Sequence, residues 1–135
     1  MTIRVVRLGS PRAPDEGVRI GTVRRPPRGV PKERFAADGW YDVWYPNLSP
    51  NPELMKLALS THAQPDSAQA RKDWALFTRL FRKQMAAPDA ARSLDVLAAL
   101  SHGASFSVGC YCAQEARCHR SVLRELLAER GAALD

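Results

Sequence analysis

Cys110, Cys112, Cys118 and His119 fall within ten positions near the carboxyl end of the chain, and Arg120 follows at once. Four chemistries use such a set. In the first, a loop backbone and a helix N-terminus cradle a phosphate or carboxylate, and Arg117 or Arg120 forks onto it. In the second, a thiol at a helix N-terminus beside Arg and His has a lowered pKa, which makes Cys112 or Cys118 a candidate nucleophile with His119 as acid/base. Counted from Cys112, however, the first arginine is Arg117 and the sixth position is Cys118. The phosphatase-loop spacing of Cys, five residues, Arg is therefore missing from Cys112. In the third, Cys110, Cys112, Cys118 and His119 supply the ligand types of a Cys3His metal site. If Cys110 and Cys112 both lie in a strand, their side chains stand roughly 7 Å apart, too far for one small ion unless the backbone turns. The fourth is a reversible disulfide between Cys112 and Cys118, which requires Cα atoms within ~7 Å. The spacing favours the anion pocket with a reactive thiol, and it assigns no metal and no cofactor. Cys110 reads as a small hydrophobe in a core strand.

The elements that must position these groups follow from period and punctuation. Ser105–Cys112 alternates as a strand, with Phe106, Val108, Cys110 and Cys112 on one face. The polar run Ala113–Arg117 reads as a loop. A helix from about Cys118 or His119 to Arg130 carries Val122, Leu123, Leu126 and Leu127, with Gly131 as its stop. In α/β sheets ligands gather at such a junction, beyond the carboxyl ends of the strands. Upstream, the β-branched runs Ile3–Leu8 and Val18–Arg24 read as two strands separated by turn residues, and Trp40–Tyr45 reads as a short extended piece. Three prolines in Arg25–Pro31 exclude a helix interior and a central strand there, leaving a stiff loop. Helices are expected from Asn51 to about His62, from Asp66 or Ser67 onward, and from Asp89 to about Leu100. Trp74, Phe77, Phe81 and Met85 fall at helical spacing and read as core rather than as a base-stacking platform. His62 and His102 receive no role.

Composition speaks to partners. The chain has 135 residues and a formal charge of +6, and 16 of its 20 basic residues are Arg. Residues 1–34 hold nine basic residues against three acidic ones, whereas the remainder is balanced. This asymmetry points to an anionic partner near the N-terminal third: a phosphate-bearing small molecule, a nucleotide or, as the alternative, a nucleic acid. No apolar run reaches the ~18 residues of a membrane span, and the Arg-bearing start is not that of a secretory signal. An odd, clustered cysteine count reads as thiols in a reducing compartment, so a cytoplasmic location is expected.

Taken together, these segments resemble the domain of unknown function 488 family over nearly the full length. The most specific part is Ser107-Val108-Gly109-Cys110-Tyr111-Cys112, followed by Arg117-Cys118-His119-Arg120-Ser121-Val122-Leu123. Arg24–Glu33, Tyr41–Pro46 and Leu48–Pro50 are similar to its loops, and Trp74, Phe77, Phe81 and Met85 are similar to its helical core. The resemblance implies a small α/β protein from bacteria or archaea, with Arg24, Arg28, Cys112, Cys118, His119 and Arg120 at the motif positions. It implies no particular reaction. Two positions depart from the pattern: Val23 stands where the family has an acid, and Pro26 where it has an aromatic residue.

The expectation is a single α/β domain, 1–135, with a largely parallel sheet of three or four strands flanked by helices. The Arg24–Arg28 loop and the Cys112–Arg120 loop would converge at the carboxyl edge of that sheet. The expected catalytic residues are Cys112, Cys118 and His119, and the expected ligand-binding residues are Arg24, Arg28, Arg117 and Arg120. A thiol- or metal-based sensor is a further alternative. Oligomeric state is left open.

Overall fold

Five residues, Phe106–Cys110, carry almost no polar side-chain surface and are buried throughout, the signature of a strand covered on both faces. In the computed structural model, which describes residues 1–135, this strand lies inside the sheet. The strands are β1 (Ile3–Arg7), β2 (Val18–Gly21), β3 (Val43–Trp44) and β4 (Phe106–Cys110), in the order β1-β4-β2-β3, and every pairing is parallel. The last strand in sequence thus inserts between the first two, with Val5 opposite Val108 on one side and Ile20 opposite Val108 on the other. Gly17 makes the entry to β2 possible: its φ is +78°, and a Cβ there would sit 1.9 Å from the carbonyl oxygen of Ser105.

Parallel strands need long crossovers; β1–β2 and β2–β3 are joined by chain without α-helix, and the path from β3 to β4 carries three of the four α-helices. The helices are α1 (Pro52–His62), α2 (Ala68–Met85), α3 (Pro88–Leu100) and α4 (His119–Glu129). Their starts follow the capping residues. The Asn51 side chain accepts from the Leu54 amide at 2.9 Å, Ser67 Oγ accepts from the Ala70 amide at 3.1 Å, and Pro52 and Pro88 occupy first helical positions. Phe77, Phe81 and Met85 of α2 are buried, and Trp74, Phe77 and Phe81 stack in sequence at 4.8 and 5.5 Å. These aromatics are core, as their spacing requires. All four helices share one apolar cluster with Ile3, Phe106 and Val108 from the sheet.

The alternate residues of the strands behave differently. Ser107 and Arg19 point to the opposite face, where irregular chain rather than helix covers the sheet. Arg19 is fully buried there and meets the buried Glu16 through two hydrogen bonds, at 2.7 and 2.9 Å. Ser107 Oγ donates to the same carboxylate at 2.7 Å, and Arg19 also reaches the carbonyl oxygens of Ser10 and Gly39. A network so fully satisfied fixes the two long loops over the sheet. No helix is long and apolar enough to cross a membrane.

Candidate functional site

The carboxyl ends of β1, β4 and β2 lie side by side, and the chain leaves each of them into a loop. Arg7 and Leu8 follow from β1, Val23–Arg28 from β2, and Tyr111 and Cys112 from β4. These loops, with the start of α1, enclose a groove of about 1340 Å³. Tyr111 ties them together: its hydroxyl donates to the Arg25 carbonyl at 2.7 Å, and its own carbonyl accepts from Arg7 Nε at 3.3 Å.

The strand expected to reach Cys112 ends at Cys110. The backbone then turns, which brings the Cys112 amide to 3.5 Å from Cys110 Sγ and the two sulfurs to 3.6 Å from each other. The roughly 7 Å separation expected of strand neighbours therefore does not apply. Cys118 enters from the other side. It is the extended N-cap residue of α4, and its side chain makes no capping bond. All three sulfurs lie within 4.8 Å of one another and are free thiols. Cys110 and Cys118 are buried in a second apolar cluster with Leu8, Val23 and Tyr41, whereas Cys112 is partly exposed. Cys110 is thus both a packed strand residue and a member of the sulfur cluster.

Hydrogen bonds divide the charge among the three. Those from Cys110 and Cys118 outweigh burial and hold the Cys112 thiol well below its ordinary value. The reciprocal bonds, together with burial, push Cys110 and Cys118 up. The thiol favoured to ionise first is thus the most exposed of the three.

His119 opens α4 and is buried behind the sulfurs. Its Nε2–H donates to the Thr22 carbonyl at 2.7 Å, since a carbonyl can only accept. Nδ1 is thereby left as a lone pair, 4.0 Å from Cys118 Sγ. The ring meets Phe81 edge-on at 5.8 Å, and burial pushes its pKa down to about 4. Arg120 is 4% exposed; its Nη2 donates to the Cys112 carbonyl at 2.8 Å, and its Nε is buried without a partner.

Of the residues singled out from sequence, Arg24, Arg28 and Cys112 line the groove together. Arg24 also donates to the carbonyls of Ser49 and Pro50, which pins its loop to the start of α1. Cys118, His119 and Arg120 lie beneath the Cys112 loop, as the layer that supports it. Arg117 lies elsewhere: it donates to the Thr61 carbonyl and to Asp66, each at 3.1 Å, and faces the end of α1. Counted from Cys118, the sixth residue is Arg124, yet that side chain is engaged by Glu115 at 2.7 and 3.0 Å and sits a turn and more into α4, so no phosphatase loop forms.

The sequence reading omitted two arginines of the groove, Arg7 and Arg25, and passed over its aromatic edge, Trp40 against Tyr111 with centroids 6.0 Å apart. A signal existed for Arg7, which ends β1 and so falls where a parallel sheet collects its ligands.

Residues 3–131 match the family model described as the Active DUF488-N3 subclade, and the chain belongs to the domain of unknown function 488 family. No curated protein and no solved structure matches it.

Proposed function

We propose that this chain binds a phosphate-bearing or nucleotide-like anion in the groove and presents the sulfur cluster to it. One observation carries the reading: Arg7, Arg24, Arg25 and Arg28 line the groove, and no Asp or Glu does. The other arginines of the N-terminal segment, Arg4, Arg12, Arg19 and Arg34, are each paired with a carboxylate. Within residues 1–34 the arginines in no ion pair are those of the groove. A guanidinium fork suits phosphate oxygens, and the apolar surround raises the strength of each such bond. Cys112 lies on the groove wall within reach of whatever the arginines hold, and the word active in the subclade's description fits a site that does chemistry. The free thiols suit a reducing compartment, in keeping with a cytoplasmic location.

The test is calorimetric titration with pyrophosphate and with a nucleoside diphosphate at low salt. The wild-type chain binds one or both, and the Arg25→Ala/Arg28→Ala variant binds neither detectably. Equal heats in the two proteins reject the reading.

A further inference from the structure

We infer that Cys110, Cys112 and Cys118 form a three-thiolate site for a thiophilic metal ion, with Zn²⁺ as the physiological class and an open fourth position facing the groove. A zinc–sulfur bond of about 2.3 Å in a tetrahedral shell sets sulfurs about 3.8 Å apart. The pair Cys110–Cys112 is at 3.6 Å and all three sulfurs lie within 4.8 Å, so gathering them about one ion needs sulfur shifts of at most about 1 Å. A core that merely packed three thiols would have no reason to turn the chain sharply after Cys110 and fold the Cys112 amide back onto the Cys110 sulfur. That N–H···S bond stabilises thiolate charge, as hydrogen bonds to sulfur do around bound metals.

The layer beneath fits the same role. Arg120, nearly fully buried, clamps the carbonyl of Cys112 and keeps an unpartnered N–H on the same guanidinium. Three thiolates and a divalent ion sum to one negative charge, which the cationic groove and Arg120 balance. His119 has its remote N–H on the Thr22 carbonyl, the arrangement that orients metal-site histidines, and its Nδ1 lone pair faces Cys118. At 4.0 Å from that sulfur alone, the imidazole stands behind the three-sulfur set rather than within it. The fourth position therefore faces the groove walled by Cys110 and Cys112, where a phosphate oxygen completes the shell. Metal uptake releases the thiol protons to solvent and requires no oxidant.

The inference deepens the proposed function by naming what meets the anion, and it is tested with no anion present. The reduced full-length chain, freed of metal by chelator, is titrated with Co²⁺ alone and then with Zn²⁺. The expected result is saturation at one ion per chain, with sulfur-to-cobalt charge-transfer absorption, the ligand-field bands of a tetrahedral ion, and displacement by Zn²⁺. Cys112→Ser, at the partly exposed position, should keep the fold by circular dichroism and weaken Zn²⁺ by ~100-fold or more in a chelator competition. Absence of charge-transfer bands in the wild-type chain overturns the inference without reference to any variant, as does unchanged affinity in Cys112→Ser. Arg25→Ala/Arg28→Ala keeps all three sulfurs and should still take up one Zn²⁺ per chain, with an affinity lowered by far less than in Cys112→Ser. Loss of anion binding in that variant with metal retained keeps both proposals, whereas anion binding without metal uptake removes only this one.

Discussion

Arg120 Nη2 donates to the carbonyl oxygen of Cys112 at 2.8 Å, so the first turn of α4 holds the loop that follows β4. The contact reaches back over eight positions, from a buried arginine to a partly exposed residue. Removing it with Arg120→Ala should lower stability by about 1.5–3 kcal/mol, the range for a hydrogen bond to a charged group. The freed loop should also expose Cys112, whose alkylation in metal-free native protein should quicken. Urea unfolding and a timed alkylation series measure the two effects. An unchanged alkylation rate would show that Arg120 supports the fold without positioning the sulfur.

The four groove arginines and Arg117 should separate in a binding experiment. Arg117 is engaged by Thr61 and Asp66, so Arg117→Ala should leave pyrophosphate affinity unaltered. Salt then distinguishes a small anion from a nucleic acid. A single-stranded nucleic acid laid along four arginines should weaken with a log–log slope near −3, about −0.7 per phosphate neutralised. A small phosphate-bearing ligand should show a shallower dependence. Binding of an oligonucleotide with the steep slope, and none of pyrophosphate, would move the protein to the nucleic-acid reading.

The sheet and its helices were legible because the burial requirement writes itself as period. The run Ser105–Cys112 reads as an alternating strand, which the structure places at Phe106–Cys110, the aromatics of α2 as a core stripe, and Asn51-Pro52 as a helix start. The turn after Cys110 was not legible. Alternation continues through Cys112 in the sequence, and only the amide of Cys112 returning to the Cys110 sulfur stops the strand. The charge asymmetry located the groove's cations by segment but not by residue. Which arginines of that segment stay unpaired depends on where four carboxylates fall: Arg19–Glu16 and Arg34–Asp38 are local pairs, but Arg4–Asp15 and Arg12–Asp42 join positions that only the fold brings together.

Gly21 ends β2 under the face of Tyr41, and a Cβ there would stand 2.4 Å from Tyr41 Cδ2 and 2.9 Å from its Cγ. Tyr41 packs with Leu8, Val23, Cys110 and Cys118, so a displaced ring presses on the sulfur cluster. Gly21→Ala should therefore destabilise by about 1–3 kcal/mol, as overpacking does, and should change the reactivity of Cys112 as well. Thermal unfolding together with a native-state thiol count checks it. Wild-type stability in this variant would mean that Tyr41 moves without resistance.

The buried pair Glu16–Arg19 sets an acid limit on the fold. Burial alone would raise the Glu16 carboxyl, but hydrogen bonds from Arg19 and Ser107 and the charge of Arg19 outweigh it and hold the pKa at about 2, below the ordinary 4.5. Because the folded value is depressed, the unfolded chain binds the proton more tightly. The pair's contribution is thus complete above pH 4.5 and is lost as the pH falls toward 2. Glu16→Gln should flatten the pH dependence of stability across that window and should cost about 3–5 kcal/mol at neutral pH, because Arg19 is left charged and buried. The double variant Glu16→Gln/Arg19→Met should be less destabilised than the sum of its singles, since it leaves no lone charge inside. Urea midpoints of the wild type and the double variant at several pH values between 2 and 5 test this even if the single variant does not fold. Parallel pH profiles in the two proteins would assign the acid sensitivity to other carboxylates.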